Sequence, residues 1–251
     1  MTDQLGIEKR LAISYAFCTI MGIIASVSTG IVWSHWYRTL DKCGIGRNCS
    51  CILYGQNTLS TFLGGGQAPC IWVTFGPLLY AFFSLCMTCF HGYRVLFTTK
   101  SPKMRTRRTM LATMHGSSVQ VETIAQEDIS SLYRCFWITI SVFTSFFFVY
   151  ALIHFSIYLD GYYTTCNQYR IVLQKLLRMH GTALPVVHGR LHCQSIFDFM
   201  DYMQLDNDVA FRNGFINTGL ALIIGLISSF VGCILFLSAS ILNIIMAKRH
   251  D

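Results

Sequence analysis

Four long apolar segments without a single charged residue constrain the fold more than any other feature of this chain. They cover residues 11–33, 71–93, 136–158 and 215–246. A hydrocarbon core of ~30 Å needs about 20 such residues, whereas buried helices of soluble proteins offer about 10 to 14. Only 12% of the 251 residues are charged, about half the usual fraction in soluble domains. The sequence therefore predicts an all-α membrane protein, one four-helix transmembrane bundle spanning residues 1–251.

The distribution of Lys and Arg predicts the orientation of these spans. Four spans place both termini on one side, together with an inner loop at 94–135, and leave outer loops at 34–70 and 159–213. The inner side then carries 11 Lys and Arg residues against 8 outside, which favours cytosolic termini. The first apolar run is too long for a cleaved signal peptide, whose apolar region has about 7 to 15 residues. We expect a plasma-membrane or secretory-pathway protein. Since its net charge of +7 is scattered at segment edges, we expect no nucleic-acid partner.

Cysteines support the same orientation, because six of the 11 fall in the two outer loops. An even number on one side indicates disulfides formed in an oxidising compartment. Spacing alone leaves fifteen connectivities open. We favour pairs within each loop, which are Cys51–Cys70, Cys166–Cys193 and, as the remainder, Cys43–Cys49. Asn48-Cys49-Ser50 also fits the N-glycosylation pattern, which predicts a glycoprotein unless early pairing of Cys49 hides Asn48.

The inner loop begins with a basic cluster that suits anionic lipid headgroups. The cluster comprises Lys100, Lys103, Arg105, Arg107 and Arg108. An alternative is that these residues only fix the orientation of the helices. Cys135 and Cys89 lie near the inner boundary and are candidates for S-palmitoylation. The stretch SSVQVETIAQEDISSLYR, residues 117–134, predicts a helix that leads into the third span.

Shorter patterns in the outer loops predict local structure. CILY at 51–54 indicates a strand, LGGGQAP at 63–69 a flexible turn, and RIVLQKLLRM at 170–179 a short amphipathic helix. A zinc site would need three or four ligands held together. His188 and His192, with His180 nearby, are the candidates, but Cys193 is better explained by a disulfide and we expect no metal site. Four aspartates lack the spacing of a calcium loop and predict a solvated acidic face: Asp198, Asp201, Asp206 and Asp208.

Inside the spans, the residues indicate packing rather than chemistry. No carboxylate or ammonium group lies there, which excludes a charged relay or substrate site. Gly76-Pro77 predicts a bend in the second span, with the freed carbonyl satisfied by neighbouring helices. His91 and His154 are expected near opposite membrane interfaces. The fourth span carries two pairs of small residues four apart, which predict close helix packing: Gly225 with Ser229, and Ser228 with Gly232.

Several fragments resemble the transmembrane protein 179 family within the claudin-like four-span superfamily. They are CILYGQNTLS, Cys70 at the opening of the second span, HGYRVLF at its end, the pair Cys166 and Cys193, and NDVAFRNGF before the last span. The resemblance implies a claudin-like bundle, with a small β-sheet in the first outer loop, and no securely assigned activity. The Gly-Leu-Trp-Cys-Cys signature of tight-junction claudins and the Cys-Cys-Gly motif of tetraspanins are absent. Cys43, Cys49 and the longer second outer loop depart from the family.

These features favour a non-enzymatic accessory subunit or assembly adaptor for a channel or receptor. Its partners would be the bilayer and another integral membrane protein, contacted by the braced outer loops and the small residues of the fourth span, and a homo-oligomer stays open. No nucleophile–base pair, metal cluster or nucleotide loop indicates an enzyme or a cofactor. The alternative is a pore-forming or transporter subunit for a small solute or ion. Its path would be lined by hydroxyls, which more often bond to their own helix: Ser14, Thr19, Ser26, Thr139, Ser141, Thr144 and Ser145.

Overall fold

Five helices account for most of the described chain. A computed structural model describes residues 2–40, 48–57, 62–97, 104–111, 118–125, 134–176, 192–203 and 216–249. The helices are α1 (Thr2–Leu40), α2 (Gln67–Phe97), α3 (Arg134–Leu176), α4 (Cys193–Met203) and α5 (Thr218–Arg249). All but α4 are long and apolar enough to cross a bilayer. The four predicted spans are thereby confirmed as helices, consistent with an integral membrane protein.

Helix α3 is much longer than the span predicted from its apolar residues. Its 43 residues cover about 64 Å at 1.5 Å per residue, about twice the thickness of the hydrocarbon core. The separate helix predicted at residues 170–179 is wrong, because its first seven residues continue α3 to Leu176. No proline interrupts residues 159–176, so the helix continues unbroken out of the apolar segment.

A small antiparallel sheet follows α1 in the chain. It pairs β1 (Cys51–Asn57) with β2 (Phe62–Gly65), with Cys51 opposite Gly65. The strand predicted at CILY is confirmed, but the flexible turn predicted at residues 63–69 is wrong. Two of its three glycines, Gly64 and Gly65, belong to β2. The strand lies very close to its neighbour there, since a Cβ on Gly65 would collide with the carbonyl oxygen of Leu53.

Strands β3 (Met104–Leu111) and β4 (Ser118–Ala125) form a second antiparallel pair between α2 and α3. The helix predicted over residues 117–134 is therefore wrong, because residues 118–125 form strand β4 and α3 begins only at Arg134. The physical reason is visible in SVQVETIA. Val119, Val121 and Thr123 recur at every second position, which is the period of a strand, and β-branched residues favour strands.

The two ends of the bundle differ in what they carry. The disulfide end holds the β1–β2 sheet and α4, while the hairpin end holds the β3–β4 pair, the start of α1 and the end of α5. Helix α1 packs against α2 and α5, and α3 packs against α5. Aromatic pairs span α2 and α3, including Phe83–Phe147 with ring centroids 4.4 Å apart. Large apolar side chains such as Phe82 (70% exposed) cover the outside of the bundle, as expected where the solvent is lipid.

Candidate functional site

Two disulfides tie the elements of the disulfide end together. Cys51–Cys70 joins β1 to the first turn of α2, and Cys166–Cys193 joins α3 to α4; the Cα atoms of each pair are 5.5 Å apart. Both pairings favoured from the sequence are confirmed. Cys49 is disulfide-bonded as well, whereas its predicted partner Cys43 lies outside the described residues.

The predicted glycosylation residue, Asn48, lies at the surface of the disulfide end. Its Nδ2, the atom to which a glycan is attached, donates a hydrogen bond to Gln67 Oε1 at 3.2 Å. Ser50, the third residue of the motif, is completely buried. Transfer of a glycan would therefore have to precede the packing of this loop, and glycosylation of Asn48 stays a prediction.

Thr165 of α3 joins the sheet to the bundle. Its fully buried hydroxyl oxygen lies 2.9 Å from the carbonyl oxygens of Ile52 and Gly161. It also accepts a hydrogen bond from the backbone N–H of Gly55 at 3.1 Å. One side chain therefore satisfies backbone groups on both β1 and α3, and buried backbone groups of this kind are costly to leave unpaired.

Tyr54 forms the second junction between β1 and α3. It has a positive φ of 59°, uncommon for a residue with a side chain, at a register irregularity in β1. Its hydroxyl donates to the carbonyl oxygen of Ile157 at 3.1 Å. Burial, and to a smaller extent the nearby Asp160 carboxylate, raises the pKa of the Tyr54 hydroxyl to about 12. Gly161 makes room for the ring, since a Cβ there would lie 2.8 Å from Tyr54 Cε2. The strained backbone directs this aromatic ring onto α3.

Asp198 of α4 stabilises the first turn of α5. Its Oδ1 accepts a hydrogen bond from the Gly219 N–H at 2.7 Å, and the Asn217 amide, with its nitrogen toward the carboxylate, donates to Oδ2 at 3.0 Å. A carboxylate at a helix N-terminus satisfies free N–H groups and interacts favourably with the helix dipole. The prediction that Asp198 belongs to a solvated acidic face is therefore wrong. The side chain of Asp201 is not among those described, and Asp206 and Asp208 lie outside the described residues.

His154 completes the backbone hydrogen bonding around Pro77. Proline has no N–H, so Pro77 leaves the carbonyl of Val73 without its helical partner. His154 Nε2 lies 3.1 Å from this oxygen and donates to it. The prediction that a neighbouring helix satisfies the carbonyl is confirmed. The His154 side chain is 1% exposed within the chain, and its position near a membrane interface stays a prediction.

A polar cluster lies at the hairpin end, inside the bundle. Tyr15 and Thr144 hydroxyls are 2.9 Å apart, and Asn243 Nδ2 donates to Tyr15 Oη at 2.8 Å. These residues come from α1, α3 and α5 and are all buried. This cluster was not predicted from the sequence, although Asn243 carries the only amide side chain of α5 and signals a buried hydrogen bond in an apolar helix.

His91 and an ion pair extend this cluster toward the hairpin end. The His91 ring is completely buried and stacks on Tyr15 with centroids 5.9 Å apart and planes 4° apart. Its predicted position near a membrane interface stays a prediction. Arg94 Nη2 lies 3.2 Å from Glu8 Oε1, and both side chains are largely buried. No sequence pattern revealed Glu8 as the partner of Arg94.

The small residues of α5 pack within this chain. A Cβ on Gly225 would lie 2.8 Å from Tyr158 Oη and 3.0 Å from Ser28 Oγ, so α1 and α3 occupy this surface. Ser228 and Ser229 are buried too, whereas a Cβ on Gly232 would meet no atom within 4 Å. Close packing is thus confirmed at Gly225 but not at Gly232, and the idea that these residues contact a partner protein is wrong for the buried ones.

The predicted lipid contacts lie at the hairpin end. Cys89 and Cys135 are exposed free cysteines, as is Cys86, which the sequence analysis did not single out. Arg105, Arg107 and Arg108 belong to β3, while Lys100 and Lys103 lie outside the described residues. Acylation and lipid binding at these positions stay predictions.

Three of the seven hydroxyls proposed to line a pore are bonded inside the helices that carry them. Thr19, Thr139 and Thr144 donate to carbonyl oxygens four residues earlier, which is the ordinary arrangement in apolar helices. Ser145 instead pairs with Ser240 of α5 at 2.7 Å. Within the described ranges, no three His, Cys, Asp or Glu residues form a group that could hold a metal ion. His180 and His188 lie outside those ranges.

Comparisons with known proteins add no assignment. No family model, curated protein or solved structure matches the chain.

Proposed function

We propose that this protein is a non-enzymatic accessory subunit of a larger membrane assembly, and that its disulfide end binds the partner protein. A claudin-like relationship to the transmembrane protein 179 family is part of this proposal. We also propose that the disulfide end faces the cell exterior or the secretory lumen, with both termini in the cytosol, because disulfides form in oxidising compartments.

The rigidity of the disulfide end is the observation that carries this proposal. Two disulfides, the Thr165 junction and the Asp198 cap join β1, α3, α4 and α5 into one unit. Trp36 of α1 adds a further link by donating to Thr218 Oγ1 at 2.9 Å. A surface that is ordered before binding loses little conformational entropy when a partner docks. Such a surface is therefore suited to stable association.

The interior of the bundle supports a binding role over transport. Three buried polar side chains of α1, α3 and α5, those of Tyr15, Thr144 and Asn243, bond to one another inside the bundle. A water-filled path requires polar groups that face a lumen. We therefore favour the accessory subunit over the pore.

Site-specific photo-crosslinking in native membranes tests the proposal. A photoreactive amino acid at Gln56, exposed on β1, should give a discrete heavier adduct with one membrane protein. The matched control carries the same probe at Phe82, on the lipid-covered side of α2, and should react mainly with lipid. A protein adduct from Phe82 but not from Gln56 would move the partner to the transmembrane surface. Absence of any protein adduct, together with a monodisperse single chain in mild detergent, would refute the proposal. Flux through proteoliposomes above the lipid background would support the pore instead.

A further inference from the structure

Three completely buried side chains at the hairpin end carry polar atoms that are not hydrogen-bonded. They are His91 of α2, Trp137 of α3 and Asn243 of α5. Within the described part of the chain, neither ring nitrogen of His91, nor Trp137 Nε1, nor Asn243 Oδ1 has a hydrogen-bond partner. Buried polar atoms of native proteins are nearly always hydrogen-bonded, to ordered water or an ion where no protein group serves. These atoms therefore indicate a small bound ligand.

Ring contacts and a hydrogen bond place the three side chains in one cluster. The His91 ring stacks on the Tyr15 ring, with centroids 5.9 Å apart, and on the Trp137 indole, with centroids 6.0 Å apart. Tyr15 in turn binds Asn243, whose Nδ2 donates to the tyrosine hydroxyl at 2.8 Å. The unpartnered atoms thus come from three helices and are grouped around Tyr15 of α1.

The hydroxyl and amide hydrogens near Asn243 are already used, so they cannot satisfy its Oδ1. Asn243 Nδ2 donates to both Tyr15 Oη and Thr144 Oγ1, at 2.8 Å and 3.2 Å. The Thr144 hydroxyl donates to the carbonyl oxygen of Ile140 at 2.7 Å, so the Tyr15 hydroxyl donates to Thr144. The donor for Asn243 Oδ1 must therefore come from outside these residues.

The mixture of donors and acceptors identifies the ligand as water. The Trp137 N–H only donates and Asn243 Oδ1 only accepts, whereas a neutral imidazole has one donor and one acceptor. An anion would leave Asn243 Oδ1 unpaired, and a cation would leave the Trp137 N–H unpaired. Water donates and accepts, and a buried water makes about three hydrogen bonds. We propose that His91, Trp137 and Asn243 bind ordered water molecules inside the hairpin end of the bundle.

Water can reach this site from the hairpin end. Phe97, which ends α2, follows His91 by six residues, about 9 Å at 1.5 Å per residue. Toward the disulfide end, buried side chains from all four long helices form what we call the apolar layer. In this layer the Phe236 ring contacts both Tyr80 and Phe147, with centroids 5.6 Å and 6.2 Å apart. The site is therefore closed toward the disulfide end, and it does not depend on the proposed function.

Water-edited solid-state NMR of the full-length protein in lipid bilayers tests the proposal. With ¹⁵N-labelled indoles, it shows which tryptophan N–H groups receive magnetisation from water. Trp36 is the matched control, because it is equally buried but its N–H donates to Thr218 Oγ1 at 2.9 Å. Trp33→Phe, Trp36→Phe and Trp72→Phe assign three signals and leave that of Trp137 by elimination. We expect transfer from water to be several-fold stronger at Trp137 than at Trp36.

Two substitutions then locate the bound water. His91→Phe keeps a flat ring but removes both ring nitrogens, so the transfer to Trp137 should fall by about half or more. Tyr80→Phe removes one hydroxyl from the apolar layer instead and should leave the transfer to Trp137 unchanged. The comparison of Trp137 with Trp36 leaves His91 in place, so it decides the question even if His91→Phe fails to fold.

Three results would overturn the proposal. Equally weak transfer to Trp137 and Trp36 would show that a protein group, and not water, accepts the Trp137 N–H. A Trp137 signal that shifts with the concentration of chloride or bromide would show a bound anion. Transfer to Trp137 that is unchanged in His91→Phe would show that His91 does not bind the water.

Discussion

Replacing Thr165 with valine tests how the sheet is joined to the bundle. Valine has nearly the shape of threonine but cannot accept the hydrogen bond from the Gly55 N–H. Thr165 is fully buried, so water cannot replace the lost hydroxyl. A buried polar group left without a partner costs about 1–3 kcal/mol. We therefore expect Thr165→Val to lower the free energy of unfolding by about 2 kcal/mol.

Hydrogen exchange and unfolding in bicelles measure this effect locally and globally. A loss of about 2 kcal/mol corresponds to about 30-fold faster exchange for the peptide that contains β1, when reclosing is fast relative to chemical exchange. Thr165→Ser keeps the hydroxyl and should cost only about 1 kcal/mol for the lost methyl group, without exposing the Gly55 amide. Thr139→Val, on the exposed side of α3 where the hydroxyl bonds only to its own helix, should change stability by less than about 0.5 kcal/mol. If exchange in β1 is equally fast in the serine and valine variants, the hydroxyl is not what anchors the sheet.

Three further substitutions test individual contacts, each by unfolding in bicelles. Gly225→Ala should destabilise the bundle by about 2 kcal/mol because the added Cβ crowds Tyr158 and Ser28. The control Gly232→Ala should be neutral or slightly stabilising, and similar losses of stability in both variants would contradict this packing. Asp198→Ala removes the acceptor at the start of α5 and should cost about 2 kcal/mol, and an unchanged stability would show that the turn forms without it. Glu8→Gln should cost about 3 kcal/mol by removing the negative charge that lies 3.2 Å from the buried Arg94 guanidinium, and the loss should shrink when Arg94 is also replaced by methionine. Additive losses would mean that the two charges are not coupled.

The small residues of α5 are not available to a partner protein, so the partner should be sought at another surface. Gly225, Ser228 and Ser229 are enclosed within the chain, so a second protein has no access to them without unpacking α1 or α3. The exposed parts of the helices are covered by large apolar side chains, as at Phe82 and Val142, which are equally suited to lipid. The disulfide end therefore offers the better-defined surface.

Errors in the predicted elements arose where two periodicities compete. SVQVETIA contains Glu and Gln, which favour helices, but its β-branched residues alternate with a period of two and form β4. RIVLQKLLRM has a helical period, and its first seven residues are helical, yet nothing in the pattern shows that they continue α3. Local patterns thus misassigned the type of element at β4 and the boundary of the element at the end of α3.

The sequence by itself determined the four spans and favoured both of the disulfides that the structure describes in full. The reason is that insertion into lipid depends on the summed transfer free energy of a contiguous segment, and Cys51–Cys70 and Cys166–Cys193 close loops of only 19 and 27 residues. Tertiary structure alone decided which polar residues meet. Asn243 and Tyr15 are 228 positions apart in the chain, and the partner of the Val73 carbonyl, His154, is 81 positions away. Such contacts follow from the rotation and depth of packed helices, which no local pattern specifies.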